Sequence, residues 1–219
     1  RFCKAVCWIA CKVVRVVTPG TLTDAELLSD KSDSLLLALA QHTHRGQTTH
    51  GLAWLALSSG ELGLAECTDA ELPGWLARLN AAEVLVAREQ VPAALAAIRA
   101  AVTHRPDWQF DAALGARKLC EQLRVASLAG YNAGDLAVAH AAAAALLSFA
   151  EHTQGRALAH VARLAVERAS DLLELPPATH RNLELVQTLR GENAPTLLST
   201  LDSCRTGMGS RLLRHWLTH

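Results

Sequence analysis

Three apolar runs of strand length follow one another in the first third of the chain. Residues 35–40 and 52–57 are short continuous apolar runs, and after a turn at 58–60 Leu62 and Leu64 alternate with small or polar residues. Short apolar runs bounded by turn residues are typical of buried strands, and alternation is typical of a half-buried strand. The sequence therefore predicts an antiparallel meander of three strands.

The period changes after the third run. Residues 68–71 (Thr-Asp-Ala-Glu) form a capping box, and the apolar positions that follow lie on one helical stripe: Leu72, Trp75, Leu76 and Leu79. Residues 82–87 are apolar and read as a fourth strand. A second stripe predicts a helix over residues 91–102 and consists of Val91, Ala94, Leu95, Ile98 and Val102. The predicted order is β-β-β-α-β-α.

Two further helices are each preceded by an aspartate. Asp111 is placed to cap a helix that carries Ala116, Leu119, Cys120 and Leu123, and Asp135 is placed to cap the Ala-rich residues 136–150. Residues 161–166 have the composition of a strand. Beyond the Pro176-Pro177 break we predict helices over residues 183–189, 197–201 and 208–217. The chain thus reads as a mixed α/β domain to about residue 155, followed by a mainly α tail.

A separate β-rich run precedes this domain. Residues 12–22 end in a turn signal at Pro19-Gly20, and residues 23–26 repeat the capping-box sequence Thr-Asp-Ala-Glu. We therefore place the first domain boundary near residue 23.

Composition limits the class of protein. The 219 residues include 21 Lys plus Arg and 21 Asp plus Glu, so the formal net charge is zero and gives no general field for binding nucleic acid. The longest apolar stretch, residues 136–150, is shorter than the roughly 20 residues of a membrane helix. The basic, apolar N-terminus has no cleavage signal, and six cysteines without a dense framework fit a reducing compartment. We expect a cytoplasmic protein.

The common catalytic motifs are missing from the sequence. It contains no phosphate-binding G-x-x-x-x-G-K-[ST] or G-x-G-x-x-G loop, no zinc-binding H-E-x-x-H and no G-x-S-x-G nucleophile elbow. Strand order β-β-β-α-β-α is that of an RNase H-like domain, whose nucleases hold two metal ions with clustered carboxylates, one of them on the first strand. Residues 35–41 contain no Asp or Glu. If the domain is RNase H-like, we expect it to be catalytically empty.

Three polar clusters are candidate sites. Cys3, Cys7 and Cys11 would place three thiols on one helical face, but a fourth metal ligand at suitable spacing is missing, and the alternative is a disordered or foreign leader. The second cluster is His42, His44 and His50, for which we predict a loop between the first two strands. Such an imidazole trio can bind zinc or nickel if the loop folds back, although a solvated loop is the favoured interpretation.

The third cluster is basic and lies in the last segments of the chain. It consists of Arg205, Arg211, Arg214 and His215. These side chains are suited to phosphate contacts, but arginines spaced three apart on an amphipathic helix usually form its solvated face. We favour the solvated face.

Several strings of the sequence, in the same order along the chain, resemble the MutS family of bacterial DNA mismatch repair proteins. They are VVRVVTPGTLTD (13–24), WLALSSGELGLAE (54–66), LARLNAAEVLVARE (76–89), RPDWQFD (105–111), RKLCEQL (117–123), LAGY (128–131), ATHRNLEL (178–185) and TLLSTLDSCRTGMGSRLLRHWL (196–217). Because the matches are collinear over residues 13–217, the resemblance is far more specific than any single string.

The resemblance implies a fragment with three parts. Residues 1–23 correspond to a leader and the end of the mismatch-recognition domain, 24–155 to the RNase H-like connector domain, and 156–219 to the start of the helical core domain. The resemblance places the family's mismatch-reading F-x-E motif, which lies in its N-terminal domain, and its P-loop ATPase in parts of the protein other than these residues. The resemblance therefore implies no catalytic centre and no cofactor in this chain, whereas full-length relatives bind ATP and magnesium.

The resemblance also implies partners. Full-length members bind mismatched duplex DNA, form homodimers and signal to MutL, and we expect no membrane partner for this chain. Lys118 and Leu119 stand where relatives carry polar residues on a connector helix that faces MutL, so we expect a MutL-facing surface formed by Lys118, Leu119 and Glu121.

Two functional hypotheses follow. The first is a connector and core module that relays conformational change within a mismatch repair protein and offers a surface to MutL. The alternative is an active RNase H-like, metal-dependent nuclease. Carboxylates on the first strand distinguish the two hypotheses, and their absence favours the first.

Overall fold

A computed structural model describes residues 16–21, 34–154, 158–168, 179 and 182–218. Four sequence features lie outside this description: the Cys3, Cys7 and Cys11 cluster, the capping box at 23–26, the first four residues of the β-rich run at 12–22, and the Pro176-Pro177 break. Of that run, the structure shows Val16 to Thr18 without strand geometry and a 3-10 turn at Pro19–Thr21.

Six strands form one mixed sheet in the order β5-β4-β1-β2-β3-β6. Their bounds are β1 Leu35–His44, β2 Gln47–Ala56, β3 Glu61–Thr68, β4 Glu83–Ala87, β5 Ala101–Arg105 and β6 Arg163–Val166. The first three strands are antiparallel, which confirms the predicted meander. β4 runs parallel to β1, β5 to β4, and β6 to β3. The mixed α/β class is confirmed, and the connectivity is consistent with an RNase H-like domain.

The β1–β2 hairpin is longer than predicted. Arg45 and Gly46 both have positive φ, 49° and 79°, so the two strands are joined by a two-residue turn of the kind that matches strand twist. The ladder continues to the pair His44 and Gln47. The loop predicted around the three histidines is therefore wrong, because the turn residues allow the strands to pair up to the tip.

Apolar side chains cover both faces of the sheet. Leu36, Leu55 and Leu62 face one helical layer, formed by residues 112–123 and 137–154, in the larger of two buried clusters. Leu37 and Trp54 face the opposite side, where the Trp75 ring lies 6.1 Å from the Trp54 ring. Strands buried on both faces are expected to be continuous apolar runs, as residues 35–40 and 52–57 are.

The helices are α1 Leu72–Leu79, α2 Ala112–Leu123, α3 Ala137–Gln154, α4 Leu197–Leu201 and α5 Gly207–Thr218. The predicted α1 stripe is confirmed, since all four of its residues are buried. The predicted capping box is only half formed: the Glu71 carboxylate accepts hydrogen bonds from the Thr68 backbone N–H and hydroxyl, but the helix begins at Leu72, four residues after Thr68. No helix in the described part of the chain is long and apolar enough to cross a membrane.

The helix predicted over residues 91–102 is wrong. Ala93–Ala97 form a 3-10 turn, of which only Leu95 is buried, and Val102 lies in β5 opposite Val84. The helical spacing of these apolar residues was coincidental, because pairing with β4 satisfies the backbone of β5 without a helix. The observed order is therefore β-β-β-α-β-β before α2.

One of the two predicted aspartate caps is confirmed. Asp111 accepts a hydrogen bond from the Leu114 N–H at 2.6 Å. At the start of α3 the acceptor is not the predicted Asp135 but Glu66 of β3, whose carboxylate accepts from the N–H groups of Val138 and Ala139 at 2.7 and 3.1 Å. A cap from a neighbouring strand satisfies the same backbone donors.

The tail agrees with the sequence in part. α4 and α5 confirm two of its three predicted helices. Residues 183–189 form turns instead, because Glu184 adopts a left-handed conformation with φ 46° and its carboxylate accepts a hydrogen bond from the Leu189 N–H. β6 follows the expected 155 boundary but completes the connector sheet through its pairing with β3.

Candidate functional site

Helix α2 lies unusually close to α3. A Cβ atom built on Gly115 would lie 1.8 Å from the His140 carbonyl oxygen, so the contact requires a residue without a side chain. Two turns of α2 after Gly115, Gln122 donates from Nε2 to the carbonyl oxygens of Leu158 and Val161, both at 2.7 Å. α2 is thus held against α3 at one point and against the chain leaving α3 at another.

The three residues expected to face MutL do not lie on one surface. Leu119 is fully buried, so it cannot contact a partner; the residue belongs to the apolar side of α2. Lys118 is half-buried and donates to Glu151 of α3 at 2.7 Å. Glu121 is exposed, as is Arg117 one turn before it. The solvent side of the helix therefore presents Arg117, Lys118 and Glu121, which we call the α2 ridge.

The segment that follows α3, residues 158–168 (the exit segment), is bonded to both faces of the sheet. On the α1 side, Arg78 donates to Glu167 at 2.7 Å, and both side chains are 15% exposed. The Arg78 guanidinium also lies 3.9 Å from the centre of the Trp75 ring. Burial lowers the pKa of Arg78, and the Glu167 carboxylate partly offsets this effect.

On the α3 side, Arg168 donates to the Asn132 carbonyl at 2.9 Å and to the Asp135 carboxylate at 3.0 Å. The hydrogen bond from Arg168 is the main reason that the pKa of Asp135 is lowered. Asp135 therefore fastens the exit segment rather than capping α3. Two successive residues, Glu167 and Arg168, therefore bond to opposite sides of the sheet. The Arg168 and Asp135 side chains are 41% and 67% exposed, so the less exposed pair Arg78 and Glu167 is the stronger attachment.

The three histidines of the hairpin do not form a metal site. Strand alternation places His42 and His44 on the α3 side near the exposed tip, whereas His50 is 1% exposed on the α1 side. His50 Nε2 lies 2.5 Å from the Asp69 carboxylate. The pair borders a cleft of about 490 Å³ between the start of α1 and residues 92–94.

Cys67 lies opposite His50 on β3 and is buried. A cysteine beside a His–Asp pair has the composition of a nucleophilic site, but burial and the nearby Glu71, Asp69 and Glu66 carboxylates raise the pKa of Cys67 to about 12. The nucleophile in such chemistry is the thiolate. Cys67 stays protonated at neutral pH and is therefore an inert core residue.

Two carboxylates of the sheet, Glu66 and Glu83, lie on different strands and are already hydrogen-bonded. β1 contains no acidic residue, Glu66 caps α3, and Glu83 of β4 accepts hydrogen bonds from Thr18, Gly20 and Thr103. Among the residues that the structure describes, no three His, Cys, Asp or Glu side chains are grouped so that they could hold a metal ion. The arrangement suits packing and capping.

The basic cluster of the tail is divided between two environments. Arg205 and His215 are exposed, whereas Arg211 and Arg214 are half-buried. Desolvation by burial lowers the pKa of Arg214. A single solvated face, as favoured from the spacing, is therefore only partly correct.

Sequence reasoning missed the residues that fasten this region, namely Glu66, Arg78, Gln122, Glu167 and Arg168. Each bonds to a partner on another element of the fold, so no local pattern reveals it. Gly115 supplies the one signal available in the sequence, since a glycine inside a predicted helix often indicates a close packing contact.

Comparison with known protein families agrees with this architecture. Residues 34–162 match MutS domain II, and residues 178–219 match MutS domain III. The first match covers more than half of the chain and includes the five strands and three helices of the connector from β1 to α3. The chain belongs to the MutS family of DNA mismatch repair proteins and carries parts of its domains II and III.

Proposed function

We propose that this chain is the connector and core-entry module of a mismatch repair protein, which passes conformational change from one neighbouring domain to the next and docks MutL on the α2 ridge. The observation that supports the relay is the double attachment of the exit segment, through the pair Arg78 and Glu167 on one side of the sheet and the pair Asp135 and Arg168 on the other. A segment bonded on both sides cannot swing freely, so movement of domain III is transmitted to domain II.

The α2 ridge is the part of this module suited to a protein partner. Arg117 and Glu121 are exposed one turn apart and carry opposite charges, and Lys118 beside them is fixed by Glu151. Complementary charges at an interface mainly set specificity and association rate. The ridge is mounted on a helix whose position is fixed at Gly115 and Gln122, so it presents these charges in a constant geometry.

The test is binding of the purified chain to MutL. The double variant Arg117→Glu, Glu121→Lys is expected to weaken binding at least tenfold, which corresponds to about 1.4 kcal/mol. Arg88→Glu is the matched control, since Arg88 is also exposed but lies beyond β4 on another part of the sheet. Equal loss in both variants, or no loss in the double variant, contradicts docking on the ridge.

In this proposal, reading of mismatched DNA, homodimerisation and turnover of ATP with magnesium are tasks of other parts of a MutS protein. The competing nuclease hypothesis has no grouped carboxylates in the described residues to support it. Incubation of the purified chain with Mg²⁺ or Mn²⁺ and plasmid, oligonucleotide or ATP is expected to give no turnover. Turnover that persists through rigorous purification and is abolished by substituting this chain's own carboxylates would refute the module.

A further inference from the structure

Residues 16–21, which we call the strap, lie against the edge of the connector although they precede the segment that matches MutS domain II. Thr18 donates its backbone N–H to the Thr21 hydroxyl at 2.9 Å, and Pro19–Thr21 form a 3-10 turn. Gly20 and Thr21 are buried. The end of the strap is therefore packed into the domain, whereas Val16, Val17 and Pro19 remain exposed.

One buried carboxylate holds the strap. Glu83 at the start of β4 is 1% exposed, and its Oε2 accepts from the Thr18 hydroxyl at 2.5 Å and from the Gly20 N–H at 3.1 Å. Its Oε1 accepts from the Thr103 hydroxyl of β5 at 2.8 Å. A buried carboxylate is costly unless it is hydrogen-bonded, so Glu83 depends on the strap as much as the strap depends on Glu83.

The strap is also bonded to the last turn of α3. The Val16 N–H donates to the Thr153 carbonyl at 2.9 Å, and Gln154 Nε2 donates to the Thr21 carbonyl at 3.3 Å. Thr153 is 1% exposed, so the contact is made inside the domain. Both ends of the strap therefore touch α3, while its centre touches β4.

The fit at the centre leaves no space for a side chain. A Cβ atom on Gly20 would lie 2.8 Å from Leu36 Cδ1 and 2.9 Å from Glu83 Cβ. The backbone of the turn thus lies directly on the sheet, and the Ser34 hydroxyl donates to the Pro19 carbonyl from the other side. This close contact requires the glycine in the sequence Thr-Pro-Gly-Thr.

We infer that the strap is a coupling device that joins the chain preceding Val16 to the connector sheet and α3, with Glu83 as its positioning residue. A displacement of the preceding chain acts on β4 through Glu83 and on α3 through Thr153 and Gln154. Release of the strap then requires loss of the Glu83 contacts and leaves the rest of the sheet in place. This inference rests on the proposed relay, for which it names one attachment, and it does not depend on the docking of MutL, which is tested separately by binding.

Hydrogen exchange on the full chain tests the device. In Thr18→Val, which removes one donor to Glu83 at constant shape, the Gly20 and Thr21 amides are expected to exchange at least tenfold faster, while amides of β1 to β4 are unchanged. The Val16 amide is the decisive readout, because it bonds to α3 and not to Thr18. If the strap acts as one unit, Val16 exchanges faster as well.

Thr43→Val is the matched control, since it removes the same hydroxyl from an exposed threonine pair at the hairpin tip, 3.1 Å from Thr48. It is expected to change none of the strap amides. Glu83→Gln keeps an acceptor for Thr103 but faces the Gly20 N–H with an amide group, so Gly20 exchange rises while β5 stays protected. Unchanged exchange at Gly20 or at Val16 in Thr18→Val overturns the inference. Faster exchange throughout the sheet in Thr18→Val overturns it as well, because the strap is then not a separate unit. The Thr18→Val result can be interpreted even if the Glu83→Gln variant fails to fold.

Discussion

The contact between α2 and α3 at Gly115 makes a quantitative prediction. Gly115→Ala places a methyl group 1.8 Å from the His140 carbonyl oxygen and 2.5 Å from its carbonyl carbon, and neither atom belongs to a flexible side chain. Ordinary contact between such atoms needs about 3.5 Å, so the helices must separate by roughly 1.5 Å along this line. The separation loosens the packing of Leu119, which is fully buried under α2.

Two effects with opposite signs decide the result. Alanine is favoured over glycine inside a helix by about 1 kcal/mol. Overpacking of a close contact costs about 1–3 kcal/mol and more where backbone must move, as it must here. We therefore expect Gly115→Ala to lower the free energy of unfolding by about 2 kcal/mol.

Urea unfolding of the full chain, followed by tryptophan fluorescence, measures this change. Gly74→Ala in α1 is the matched control, because no atom lies within 4 Å of its added methyl group. Only the propensity effect remains there, so the control is expected to gain about 0.5–1 kcal/mol. Stabilisation by both substitutions would refute the close helix contact, and destabilisation by both would refute the use of propensity to predict the control.

Two further predictions concern buried ionisable groups. The pKa of the Cys67 thiol is raised to about 12 from an ordinary 9.0. Between these pH values the thiol loses its proton in the unfolded state and keeps it in the folded state. The free energy of unfolding is therefore unaffected below pH 9 and falls as the pH rises, by about 1.4 kcal/mol at pH 10. Unfolding at pH 8 and pH 10 should show this loss in the wild type and in Cys204→Ala, but not in Cys67→Ala; an equal loss in all three contradicts it. For the pair Arg78 and Glu167, each 15% exposed, a double-mutant cycle with alanine is expected to give a coupling of about 1–3 kcal/mol, and a coupling near zero would show that the exit segment is not held by this pair.

Features set by neighbouring residues in the chain could be predicted from the sequence. The α1 stripe needs only the helical period, and the Asp111 cap needs only one side chain three residues before the N–H it accepts from. The meander could be predicted because residues 35–40 and 52–57 are continuous apolar runs and Leu62 and Leu64 of the third strand alternate with small or polar residues. In these cases the local signal and the final packing favour the same structure.

Features set by pairing between distant elements could not be predicted. Residues 91–102 have a helical spacing of apolar side chains, yet β4 offers an unpaired edge and Val102 becomes part of a strand on it. Leu119 was assigned to a partner surface because relatives are polar there, whereas its position on α2 relative to Gly115 places it in the core. The cap of α3 comes from Glu66, 71 residues before the helix begins, and no window of sequence contains both.

The position of the domain edges follows from the same reasoning. Periodicity ended the connector at about residue 155, but β6 adds its backbone to β3, and Arg78 closes over Glu167 behind it. At the other end, the strap lies before the segment that matches domain II, yet Glu83 binds it inside the domain. At both ends, hydrogen bonds to the sheet extend the domain beyond the limits that hydrophobic periodicity predicts. Because β6 pairs with β3 and the strap is bonded to Glu83 and to α3, the segments on both sides of the domain are joined to it by hydrogen bonds, and this double attachment is the physical support for the proposed relay.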